Sequence, residues 1–199
     1  MLEIQTVHDR SPFARQWLKS ARAQQDNNDV FSAYFSAYIA LVACVTQIAG
    51  DKSGKLPSGD DEKWERERVT AAFILKSDQI AAFLETDQGM KIKEVIWQRE
   101  IPEGEKLRII GPGSDTELTF AAQQLERFFR PGTQVNSTEY GEQSRQLSIL
   151  FIKVRNRLFH GGKMYDPEGT DAELLQKINP LLIEIVEILL KHGTTTTKR

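Results

Sequence analysis

The sequence predicts an all-α fold, a helical bundle with one irregular insertion near 101–113. Three observations lead there. Apolar residues recur at helical spacing in almost every long segment between Ser11 and Leu190. Helix-start signals open several of those segments: Ser11-Pro12, Ser114-x-x-Glu117 and Thr170-x-x-Glu173. Only Leu107 to Ile110 reads as a strand, and one short strand has nothing to pair with. The chain of 199 residues is expected to form a single domain, 1–199, with core helices at about 28–49, 62–85, 114–129, 138–160 and 171–190.

In chain order, the first helix is expected from Ser11 to about Gln24, with Phe13, Trp17, Leu18 and Ala21 inward. Asp26-Asn27-Asn28 should stop it and cap the next. The second, about Asp29 to Ala49, carries a dense stripe including Phe31, Tyr34, Phe35, Tyr38, Leu41 and Val45. Its small face of Ala33, Ala37, Ala40 and Cys44 invites close approach by a neighbour. Phe31 to Gly50 holds no charge, but its periodicity and its Ser, Thr and Gln residues favour a core helix over a membrane span. The 50–61 loop is Gly-rich and polar. It fails as a phosphate loop because the glycine gap is too short, Leu56 stands where Ser or Thr is required, and no strand precedes it.

One helix is expected from Glu62 to Glu85, burying Trp64, Val69, Ala72, Phe73, Ile80, Phe83 and Leu84. Its Glu62, Glu65, Arg66, Glu67 and Arg68 read as an exposed charged turn. A shorter helix, about Gln88 to Gln98, groups Ile92, Val95 and Ile96. After the insertion a helix runs to Phe129, with Leu118, Ala121, Ala122, Leu125, Phe128 and Phe129 inward, and Pro131-Gly132 ends it. The last helix, Asp171 to Leu190, has a long apolar face. Pro180 is expected to kink or restart it, with Asn179 as a cap.

Composition narrows the function classes. A net charge of −2 excludes binding of nucleic acid by overall charge, so an anionic ligand needs a local patch. The single cysteine, Cys44, sits in an apolar helix and supports no disulfide framework. MLEIQTVHDR lacks the pattern of a signal peptide, so a reducing cytoplasm is the expected compartment. His8, His160 and His192 are scattered, and no metal-ligand spacing is visible; no metal or cofactor is expected.

One segment reads as chemistry: Arg145 to Lys163, RQLSILFIKVRNRLFHGGK. It holds Arg145, Lys153, Arg155, Arg157 and Lys163 without an acid. Leu147, Leu150, Phe151, Val154 and Leu158 form one helical stripe, and Gly161-Gly162 supplies the helix end. Arg and His near that end could simply face the last carbonyls and the negative end of the dipole. Five helical positions turn through about 500°, so Arg155 and His160 would point about 140° apart in an unbroken helix. Either the end unwinds, or a second copy completes a site across a two-fold axis.

Arg155-Asn156-Arg157-Leu158-Phe159-His160 resembles the signature of the HEPN superfamily (higher eukaryotes and prokaryotes nucleotide-binding domains). That signature is an Arg, often followed by a polar residue, and a His after four to six intervening residues. As in that family, the motif ends the penultimate long helix, and a Gly-containing loop and a final apolar helix follow. The resemblance covers residues 138–190 and extends to the 28–49 helix. It implies an all-α bundle that dimerises through the Arg155–His160 region, and in catalytic members a metal-independent endoribonuclease, which can be a toxin or defence effector with an antitoxin or sensor partner. On this reading Arg155 clamps the phosphate and transition state, Asn156 orients, and His160 is the general acid/base. Lys153, Arg157 and Lys163 are added as contacts to the RNA backbone because they cluster with the motif. Gly162 stands where some members carry a modifiable Tyr, so that version is not expected. The alternative is a non-catalytic RNA- or nucleotide-binding or protein-assembly module, which many members are.

Overall fold

Every segment with a strong apolar repeat folds as a helix, because only burial of that stripe makes a short helix stable. The computed structural model describes residues 11–48, 61–96, 116–160 and 170–191. Among them lie eight α-helices and no strand: α1 (Ser11–Asp26), α2 (Val30–Ile48), α3 (Asp61–Leu75), α4 (Ser77–Leu84), α5 (Asp87–Ile96), α6 (Thr116–Phe129), α7 (Tyr140–His160) and α8 (Thr170–Leu190). The 101–113 insertion, almost all of the 50–61 loop and Gly161 to Glu168 lie outside the described residues. No described helix is long and apolar enough to cross a membrane.

The helices pack in two groups. α1 and α2 form a hairpin that lies on α8, while α3, α4 and α6 surround α7. The turn between α1 and α2 places Asn28 in the left-handed region, at φ 59°, which Asn tolerates better than most residues. Asp29 is then the cap of α2, its carboxylate accepting the Ser32 N–H at 3.1 Å. The small face of α2 is buried throughout, at Ala33, Ala37, Ala40 and Cys44. One contiguous apolar core draws side chains from all eight helices.

More than half of the described side chains on each of α2, α7 and α8 are buried. On α7, Leu147, Leu150, Phe151 and Val154 are buried as expected, but so are Ile149, Ile152, Gln143, Ser144, Gln146 and Ser148. α7 is therefore a central helix and not a one-sided one. Of its buried polar groups, Ser148 is bonded inside the bundle, its Oγ donating to the Arg145 carbonyl at 2.7 Å and sharing a 3.0 Å bond with Thr70 of α3, whereas Gln143 Oε1, Ser144 Oγ and Gln146 Oε1 are buried without a hydrogen-bond partner. At its start, Glu139 pairs with Arg127 of α6.

Several expectations are corrected. The expected single helix over 62–85 is two, α3 and α4, interrupted at Lys76. The interruption lets Ile80 and Leu84 turn inward while Ile74 and Leu75 stay exposed. Thr86 then starts α5, its hydroxyl accepting the Gly89 N–H at 3.1 Å. Phe13 and Val95 are about half exposed, at 51% and 47%, where an inward position was expected. Phe13 instead meets the edge of Trp17, which in turn meets Phe35. Pro180 does not restart α8, which is helical from Thr170 to Leu190. Asn179 is fully buried and is no cap: its amide donates to the Val30 carbonyl at 2.8 Å and to Gln25 Oε1 at 3.1 Å, tying α8 to the α1–α2 turn.

Two glycines give opposite expectations. A Cβ on Gly89 would lie 2.2 Å from the Phe83 carbonyl oxygen and 2.7 Å from Leu84 Cα, both rigid backbone. Gly89→Ala should destabilise the protein by about 1–3 kcal/mol. A Cβ on Gly141, inside α7, meets nothing within 4 Å, so Gly141→Ala should stabilise by about 0.5–1 kcal/mol. Urea unfolding followed by circular dichroism at 222 nm compares the two; equal effects would contradict this account of the α4–α5 corner.

Candidate functional site

The site is built where the two helix groups meet. Arg155 lies four residues after Phe151 and eight after Leu147, so it continues the apolar stripe of α7. Glu65 precedes Val69 by four residues and Ala72 by seven, so it opens the apolar stripe of α3. Two charges of opposite sign on buried faces have to find each other, because an isolated charge in the interior is costly. Arg155 Nη2 donates to Glu65 Oε2 at 3.4 Å, with the two side chains only 24% and 15% exposed.

Three further groups complete the cluster. Tyr38 of α2 donates its hydroxyl to the other Glu65 oxygen, Oε1, at 2.6 Å. Its ring lies under the Arg155 guanidinium, 5.9 Å from Cζ to the ring centroid. Arg155 Nη1 donates to Asn156 Oδ1 at 2.8 Å. Tyr34, one turn before Tyr38, stacks on it with centroids 6.0 Å apart and donates to the Phe151 carbonyl at 2.6 Å. α2, α3 and α7 are thus joined through one hydrogen-bonded cluster.

The electrostatics follow from burial. Desolvation holds both tyrosine hydroxyls well above their ordinary value of 10.0, opposed by the Arg155 charge and reinforced by Glu65. Both therefore remain neutral donors at physiological pH. Burial also pushes the Cys44 thiol up to about 12, so Cys44 is a packing residue and not a nucleophile.

The sequence-derived site residues divide. Arg155 and Asn156 are in direct contact. His160 is the last residue of α7, so the helix runs unbroken from Arg155 to it. Lys153 is half-buried on α7, about 200° round from Arg155, so clustering in sequence does not put it on the same face. The side chains of Arg157 and His160, and the whole of Lys163, lie outside the described residues. Glu65, Tyr38 and Tyr34 belong to the cluster although the sequence does not mark them as site residues. Glu65 is not part of an exposed turn, and its signal was an acid in register with an apolar stripe. Among the described residues no group of three or more His, Cys, Asp or Glu side chains could hold a metal ion. Comparison with protein-family models, curated proteins and solved structures gives no match.

The tyrosines make alkaline stability a test of the cluster. Above about pH 10 an unfolded tyrosine releases its proton, while Tyr34 and Tyr38 must keep theirs in the folded state. Stability is then fully present below pH 10 and falls as pH rises, by up to about 1.4 kcal/mol per pH unit for each group. Unfolding curves at pH 9 and pH 11 should show this fall, and Tyr38→Phe should make it shallower. An unchanged slope in the variant would mean that the Tyr38 hydroxyl titrates freely.

Proposed function

We propose that this protein is a metal-independent endoribonuclease of the HEPN type that acts as a homodimer and cleaves RNA to 2′,3′-cyclic phosphate and 5′-hydroxyl ends. The observation that carries the reading is the placement of the motif. Arg155 is held by Glu65 and Asn156 near the end of the penultimate helix, His160 follows at the last helical position, and α8 comes next. The residue types suit the reaction. A His of near-neutral pKa can take the ribose 2′-OH proton or protonate the leaving 5′-oxygen. A permanently charged Arg stabilises the extra negative charge on the phosphorane. The nucleophile belongs to the RNA.

The unbroken end of α7 supports the dimer. Positions five apart on an unbroken helix face about 140° from one another, so the pair that meets a single phosphate comes from facing copies across a two-fold axis. The setting that the resemblance implies is a toxin or defence effector in the cytoplasm, held in check by an antitoxin or sensor protein.

One observation favours a second reading, a non-catalytic RNA-binding or assembly module. Arg155 already has a carboxylate partner in its own chain, which serves a structural role equally well.

Incubating a mixed RNA pool with wild type and with His160→Ala in excess EDTA separates the readings. Cyclic-phosphate ends, identified by mass spectrometry, should form with the wild type and drop by about 10²-fold or more in the variant. Absence of cleavage by a folded, dimeric wild type would favour the binding module. Light scattering coupled to size exclusion should give twice the chain mass of 22.6 kDa; a monomer would remove the shared site.

A further inference from the structure

We infer that Glu65, anchored by Tyr38, is the positioning residue that aims Arg155 at the RNA phosphodiester; the inference rests on the ribonuclease reading. The Arg side chain has four flexible torsions, and a transition-state clamp must be held close to its working geometry before substrate arrives. The cluster supplies that hold from two directions. Tyr34 fixes the backbone of α7 one turn before Arg155, through the Phe151 carbonyl. Glu65 fixes the guanidinium.

The two oxygens of Glu65 have different tasks. Oε1 takes the short 2.6 Å bond from Tyr38, a residue only 4% exposed whose ring stacks on Tyr34. The carboxylate is therefore immobilised on α2 and α3 before it meets the arginine. Oε2 makes one 3.4 Å contact with Nη2. That contact orients the guanidinium from the α3 side. Glu65 and Tyr38 act through Arg155 and need not touch RNA.

Kinetics on a short fluorescent RNA in EDTA test this with Glu65→Gln, Tyr38→Phe, the double variant and Arg155→Ala, alongside each variant's thermal midpoint. Glu65→Gln should lower kcat by about ten- to a hundredfold with KM changed less than about threefold, since the arginine remains but is misaimed. Tyr38→Phe should lose less, and the double variant no more than Glu65→Gln alone, because Tyr38 works through Glu65. Wild-type kcat in Glu65→Gln beside an inactive Arg155→Ala would overturn the inference, as would additive losses in the double variant or a faster Glu65→Gln enzyme. A second readout does not depend on activity. The Arg155 side-chain nitrogen resonances, assigned through Arg155→Lys, should show hindered guanidinium rotation in the wild type and free rotation in Glu65→Gln. If the wild type cuts no RNA, the ribonuclease reading fails by itself, and these resonances still report whether Glu65 holds Arg155: unchanged resonances in Glu65→Gln overturn the inference.

Discussion

A permanently charged side chain on the apolar face of a central helix constrains how this bundle can close. Arg155 cannot be neutralised by losing a proton, and desolvation without a partner is costly on the scale of whole-protein stability. α3 must therefore pack against α7 in the register that brings Glu65 to it. Glu65 is itself mostly enclosed and takes a second donor from Tyr38, so α2 is held in the same arrangement. The hydrogen-bonded cluster adds to close packing a further requirement on the register of these helices.

The remaining contacts are consistent with that register. Tyr34 spans from α2 to the Phe151 carbonyl, Thr70 and Ser148 join α3 to α7, and Asn179 joins α8 to the start of α2. Each is a buried polar pair between two apolar surfaces. Such pairs add modestly to stability but are costly to leave unmade, so they favour one packing over its neighbours. Exposed ion pairs such as Arg22 with Glu184 and Glu187 add little by comparison.

A single cluster thus serves both the fold and the proposed chemistry. Any guanidinium held this firmly has little conformational freedom left to lose when an anion reaches it, which is the physical content of preorganisation. The same geometry explains why net charge says little about this protein. Local placement and not total charge sets the field around Arg155, which is paired with Glu65.

The helices were legible in the sequence because periodicity is a local property. The stripes of α2, α6, α7 and α8 are written in consecutive residues, and their limits were read to within a few positions. Arg155, Asn156 and His160 stood out for the same reason, as a short spacing on one helix. What tertiary structure alone decided was pairing. Nothing near Arg155 in the chain names a carboxylate 90 residues away as its partner, and Glu65 looked like one acid among the charges at the start of α3. Asn179 reads as a helix cap locally, but distant backbone claims its amide. Phe13 reads as core by composition, but the α1–α2 packing leaves it half outside. A sequence fixes which face of each helix is apolar; which polar groups on those faces meet depends on how the helices are juxtaposed, and that is decided only when all of them pack at once.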